Sequence, residues 1–317
     1  MRNVVHAVRV HARGLLLVGI TTSLALAVML QRHAIETLEW RLSWLPFFGA
    51  VCLFSLGPLA GGCSFWLVLR DLAPTARFGP SLWVWERSFA ARYVPSGALT
   101  LAVRMIERER LGATRAQMLS ATAYEQLVVA AAAAAVSLLA FWVAGRKPPL
   151  VALVVVIAVL ALAVPAPPVA KWWAQRRRTP KPRSEPIFVR PRALVGAAAL
   201  CGCSWLVAGA AAWIFVGSVS AGSTPSFAFL LGAYTFAWLV GFVIPFAPSG
   251  LGAREATLIA LLAPVVGAAP ATALTVGLRL ANVGGDLLAI GAVEAARRFP
   301  SRRHSPDRSG VVAVETP

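Results

Sequence analysis

A proline- and glycine-rich break between two apolar stretches constrains this chain more than any other feature. It reads Pro245-Phe246-Ala247-Pro248-Ser249-Gly250-Leu251-Gly252-Ala253-Arg254-Glu255, with apolar residues at 227–244 before it and 256–266 after it. Proline lacks the backbone donor and glycine is entropically costly in a helix, so one α-helix cannot run through this segment. Within hydrocarbon, broken backbone is tolerated only where protein buries it or where it lines a watery cavity. Arg254 and Glu255 follow at once, and ionisable groups in such a place are functional-site candidates by default. The hydrocarbon setting follows from several further apolar stretches that approach the ~20 residues needed to cross a bilayer. Only 14% of the 317 residues are charged, against roughly 25% in soluble domains. The expected fold is an all-α polytopic integral membrane protein of about eight transmembrane helices, with broken or re-entrant segments near 81–112 and 245–255.

Spans are expected at about 14–30, 44–69, 116–143, 149–169, 193–217, 225–244, 251–268 and 270–293. The net charge of +17 would suggest nucleic acid in a soluble protein. Here the basic residues alternate by side instead, as the positive-inside rule requires. Arg2, Arg9 and Arg13 precede the first span, and residues 70–115 hold eight arginines. Residues 171–192 hold eight basic residues, and Arg297, Arg298, Arg302, Arg303 and Arg308 fill the tail. The other side has Arg32, Arg41, Arg146 and Lys147. Both termini are therefore expected in the cytoplasm, with no nucleic-acid partner. The apolar run from Gly14 is long for a signal-peptide core, and Gln31-Arg32-His33 offers no cleavage site, so it reads as a retained span.

The chain divides into a membrane half at 1–170, a basic linker at 171–192, a second membrane half at 193–295 and a disordered tail at 296–317. The linker reads as a solvated segment, or as a polybasic contact with anionic headgroups. Arg92-Tyr93-Val94-Pro95-Ser96-Gly97 in the first half echoes the break in the second. Gly/Pro-interrupted segments at matching places in two halves point to a transporter binding site; a common turn tripeptide would account for the echo equally. Around it, 81–91 is rich in tryptophan and 99–111 is amphipathic, and neither is long enough to span. They form either a re-entrant hairpin or two helices lying flat at headgroup level.

Glu125, Arg254, Glu255, Arg279 and Asp286 fall within or beside spans, where a central charge costs about 2.5–3.5 kcal/mol. Arg279 and Asp286 are two turns apart on one face with Asn282 between them, and are expected to couple. After Gly252 a helix restarts, and its free N–H groups and dipole would favour an anion. Arg254 in that first turn adds a bidentate fork suited to phosphate. Cys52, Cys63, Cys201 and Cys203 lie in apolar spans without metal or disulfide spacing, and no histidine lies within a span. No cofactor or metal is indicated.

The run from Pro248 to Glu255, with the later Arg279, resembles the Pro-Gly-Gly-x-Gly-x-Arg-Glu signature of the lysylphosphatidylglycerol synthase transmembrane family, also called the flippase-like domain family. Arg92-Tyr93-Val94-Pro95-Ser96-Gly97, Arg104, Gly112 and Glu125 resemble its first motif region. Ser249 and Ser96 stand where glycine is usual. The likeness covers about residues 10–295. It implies a bacterial cytoplasmic membrane protein that moves a lipid between leaflets. In full-length synthases a separate soluble domain transfers the amino acid, and nothing after residue 295 here could supply it, so lysyl transfer is not implied. The expected headgroup site comprises Arg92, Tyr93, Arg104, Glu125, Ser249, Gly250, Gly252, Arg254 and Glu255, supported by Arg279, Asn282 and Asp286. Arg254 and Arg92 would hold phosphate, Glu255 and Glu125 would orient the arginines, and the ligand would be an anionic or polyprenyl-phosphate lipid. The alternatives are a non-transporting scaffold for an envelope-lipid or glycosyl transferase, and an intramembrane enzyme acting on polyprenyl-phosphate sugars. The enzyme is disfavoured because the chain has no Asp-rich metal cluster and no histidine base.

Overall fold

A computed structural model describes residues 43–93, 97–148, 188–219, 224–243 and 252–298. The expected spans at 14–30 and 149–169, most of the basic linker, nearly all of the tail, and Ser249 and Gly250 lie outside the described residues. The described residues are helical, without strands, as expected for a polytopic all-α membrane protein.

Among the described residues four helices are long and apolar enough to cross a membrane: α1 (Trp44–Leu72), α4 (Arg115–Val143), α5 (Pro191–Val219) and α8 (Ala268–Arg298). Helix α1 runs antiparallel to α5 along its whole length. Ser43 N–H donates to Ser218 O at one end, and Arg190 N–H donates to Asp71 at the other. Helix α4 starts beside the end of α1. Its Thr114–Gln117 capping box satisfies the first turn, and the Gln117 amide donates to Leu72 O at 2.7 Å. Close approach of α8 to α1 requires glycine at 285, since a Cβ there would lie 2.5 Å from Phe54 Cβ.

Residues 81–112 form a hairpin inserted into this frame rather than two helices lying flat. Helix α2 (Phe78–Ala90) and the 3₁₀ turn Ala91–Tyr93 descend, and α3 (Gly97–Glu107) returns before a second 3₁₀ turn, Arg108–Leu111. The descent is measured against α8. Trp83 Nε1 donates to Glu294 near the Arg297–Arg298 end, whereas Arg92 and Tyr93 reach Asp286. Those two acids are eight residues apart, about 12 Å along the helix axis. The hairpin nests because α1 is small where α2 crosses it: a Cβ on Gly61 would meet the Trp85 ring at 2.5 Å, and one on Gly62 would meet Leu82 at 2.3 Å.

The second broken segment enters from the other end. The stretches expected as spans at 225–244 and 251–268 are α6 (Phe227–Val243) and α7 (Ala253–Val266), of 17 and 14 residues. At 1.5 Å per residue they are about 26 and 21 Å long, short of the ~30 Å hydrocarbon core. Helix α6 starts beside the end of α4, where Ser137 donates to Gly232 O, and its Trp238 packs against Trp205 midway along α5. The start of α7 is therefore deep in the bundle. At the far end Gly267, at φ +90°, turns α7 into α8.

Candidate functional site

Helix α8 is the spine on which Arg92 and Tyr93 from one side and Glu255 of α7 from the other converge. Glu255 and Arg279 each lie eleven residues from the α7–α8 junction, about 17 Å along their helices. They face one another, with Arg279 Nε 3.8 Å from Glu255 Oε1. Two turns further along α8, Asp286 receives Arg92 and the Tyr93 hydroxyl from the opposite hairpin. The expected coupling of Arg279 with Asp286 is thereby corrected. They do share a face, but seven residues separate them by about 10.5 Å, and each finds its partner on a different hairpin.

Arg104 and Glu125 form the second pair. Arg104 Nη1 lies 2.7 Å from Glu125 Oε2, with the two side chains 1% and 2% exposed. Glu125 also accepts from Trp85 Nε1 at 3.0 Å and from the Gln126 amide at 3.0 Å. Arg104 donates further to Ser88 Oγ at 2.9 Å and to Thr122 Oγ1 at 3.3 Å. Its guanidinium lies over the Phe65 ring at 4.6 Å. A buried ion pair recovers its desolvation cost only when its remaining donors and acceptors are satisfied, and this one meets that condition. Glu125 thus holds Arg104 and ties α4 to the α2–α3 hairpin.

The restart of α7 is capped from within. Glu255 Oε2 accepts the Gly252 N–H at 2.7 Å, which occupies one of the donors expected to be free for an anion. Gly252 takes φ +87°, a conformation that suits glycine and explains its place in the break. Glu255 accordingly serves the helix start and Arg279. Arg279 is 5% exposed, and its Nη1 and Nη2 have no hydrogen-bond partner among the described residues.

These groups surround a cavity of about 340 Å³ in the middle of the bundle. Of the expected site residues, Arg92, Arg104, Glu125, Arg254, Asn282 and Asp286 line it, while Tyr93, Glu255 and Arg279 stand directly behind the wall. Arg92 lies 3.7 Å over the Phe89 ring. Arg254 is buried, 4.9 Å over the Tyr234 ring, and no carboxylate pairs with it among the described residues. Among the described residues the cavity wall therefore carries two neutralised pairs, Arg92–Asp286 and Arg104–Glu125, and one uncompensated cation, Arg254.

Sequence reasoning missed the aromatic lining. A tryptophan-rich helix fits headgroup level as readily as a re-entrant hairpin, but Trp85 is 4% exposed and lines the cavity together with Phe89. Tyr234, Trp205 and Trp238 come from spans that read as uniformly apolar; Trp205 Nε1 is buried without an acceptor among the described residues. A tryptophan-glutamate pairing between 85 and 125 has no sequence signature, because forty residues separate the partners. Glu86 is 2% exposed, and neither of its oxygens is hydrogen-bonded among the described residues, a burial that the sequence reading did not single out. Its signal was available: an acid on the apolar flank of a tryptophan-rich helix.

The sequence profile of the lysylphosphatidylglycerol synthase TM region matches residues 13–289. No curated protein matches the chain.

Proposed function

This chain belongs to the lysylphosphatidylglycerol synthase TM region family, a membrane family tied to lipid synthesis or translocation, and on that premise we propose that the mid-bundle cavity receives the phosphate-bearing head of a lipid and passes it between leaflets. One observation carries the reading. Helices from two broken segments, entering from opposite ends, meet at α8 around a cavity in which, among the described residues, every lining charge is pre-paired except Arg254. A cation held over an aromatic ring in the wall of a cavity is suited to bidentate recognition of phosphate. Helix α7 starts inside the bundle, where its first backbone groups are acceptable only if buried by protein or set beside such a cavity. The lipid's tails would stay in the bilayer while the head crosses this polar centre.

The same reading places the bundle in a bacterial cytoplasmic membrane with both termini inside. In support, Arg297 and Arg110 converge on the Trp83 ring, and Arg190 joins Asp71 beside Arg70 at the same end. The opposite end carries Arg146 and Lys147.

The test is a leaflet-exchange assay on reconstituted protein with a phosphate-headed lipid, run beside a thermal melt in detergent. Arg254→Lys keeps the charge and loses the fork, so exchange should weaken; Arg254→Gln should weaken it further, with both melting within a few degrees of the native chain. Normal exchange by Arg254→Gln refutes the phosphate role. Recovery of a chemically altered lipid would indicate an enzyme, and absence of any exchange by the native chain would indicate a scaffold.

A further inference from the structure

Glu86 is the buried acid that the headgroup site does not use. Glu125 is held by Arg104, Trp85 and Gln126, Asp286 by Arg92 and Tyr93, Glu255 by Gly252 and Arg279, and Glu107 by Arg87 and Arg110. Glu86 is 2% exposed, and neither of its oxygens has a hydrogen-bond donor among the described residues. It follows Trp85, whose ring lines the cavity, and it shares a helical face with Phe89 and Tyr93, three and seven residues on.

The charged and titratable groups near it come from three elements. Asp286 approaches from α8, Arg92 from the turn after α2, and the Cys63 thiol from α1. On α3 and the turn after it, Arg104, Glu107 and Arg110 are committed to Glu125, Arg87 and each other. Burying an ionised carboxylate without a partner is far costlier than burying a neutral acid. Burial first, and then the negative charge of Asp286, push the Glu86 carboxyl up to about 8, with Arg92 pulling the other way.

The state of this one proton changes the charge that a ligand meets. With Glu86 neutral, the two ion pairs cancel and Arg254 leaves the centre one unit positive. With Glu86 ionised, that unit is cancelled, and Asp286 gains a rival for Arg92. We propose that Glu86 is a proton-binding site coupled to occupancy of the cavity: an anionic headgroup enters with Glu86 protonated, and loss of that proton to water favours its release. This rests on the cavity being the headgroup site. The coupling is reciprocal, so a bound anion must also hold the proton more tightly. A proton gradient across the membrane could then bias the direction of lipid movement.

The experiment measures binding of dihexanoyl phosphatidylglycerol to the purified full chain by calorimetry, at about pH 6 and about pH 9.5, below and above the ionisation of a carboxyl raised this far. Affinity of the native chain should fall about tenfold between them, within the usual range of coupling between two sites. Repeating the titration near neutrality in buffers of different ionisation enthalpy should show proton uptake on binding. Glu86→Gln should bind at the high pH as tightly as at the low one and take up no proton; Glu86→Asp should retain the dependence, as should Cys63→Ser, which removes the other nearby titrating group. Parallel pH profiles for the native chain and Glu86→Gln would overturn the proposal, as would loss of the dependence in Cys63→Ser. Arg254-dependent binding with those parallel profiles would overturn the proton site alone; binding indifferent to Arg254→Gln would overturn the headgroup reading, and the coupling with it.

Discussion

Removing Arg104 alone should destabilise the bundle far more than removing Arg104 and Glu125 together. Both side chains are essentially inaccessible and stand 2.7 Å apart. Breaking a buried pair from one side strands a charge and costs about 3–5 kcal/mol. In Arg104→Met, Glu125 keeps its bonds from Trp85 and Gln126, so the loss should sit near the lower end, about 3 kcal/mol. Ser88 Oγ and Thr122 Oγ1 lose a donor, and Phe65 loses the guanidinium above its ring. Glu125→Leu leaves Arg104 with only those neutral partners, so its loss should be nearer 5 kcal/mol. Addition would give about 8 kcal/mol, whereas the double variant leaves no orphaned charge and should lose only about 1–2 kcal/mol, the usual scale of a core rearrangement. Thermal melts in detergent resolve this, because about 3 kcal/mol corresponds to roughly 4–5 °C in a chain of 317 residues. Single losses that simply add would show that the two side chains are not coupled, and would remove the link that anchors the α2–α3 hairpin to α4.

The same cycle on Arg279 and Asp286 should be additive within about 0.5 kcal/mol, since they share no partner; a large coupling would contradict the separate pairings seen here. Gly285→Ala should cost about 1–3 kcal/mol by overpacking, because its Cβ would meet Phe54 Cβ at 2.5 Å and Ser55 N at 2.8 Å, while Gly291→Ala, with nothing within 4 Å, serves as the control; equal melts would refute the close α1–α8 contact. The Glu86 carboxyl is raised from 4.5 to about 8, so the folded chain keeps a proton that the unfolded chain gives up. Stability should therefore fall as pH rises across that window and level off above it, and melts of Glu86→Gln should show a shallower decline. In a cysteine-free background, an impermeant thiol reagent applied outside intact cells should label a cysteine at exposed Lys147 and miss one at exposed Arg192; the reverse pattern would invert the orientation.

Apolar stretch length and arginine placement determined the class of fold from sequence alone, because crossing hydrocarbon demands a long apolar helix wherever it occurs in the chain. Proline and glycine likewise marked where one helix could not run on, in the 245–252 and 95–97 stretches of the sequence, since their backbone limits are local. The charged residues stood out for the same reason: Glu125, Arg254, Glu255, Arg279 and Asp286 are costly in an apolar setting whatever surrounds them. Pairing was another matter. Helical periodicity put Arg279 and Asp286 on one face, but a face is shared with whatever packs against it, and only the packed bundle gave Asp286 to Arg92 and Arg279 to Glu255. Depth was equally hidden. The α6 and α7 segments are as apolar as true spans, and their ending inside the bundle depends on α5 and α8 lying beside them. Trp85 shows the limit most plainly: the same indole suits a headgroup belt or a cavity wall, and Glu125, forty residues away, decided which.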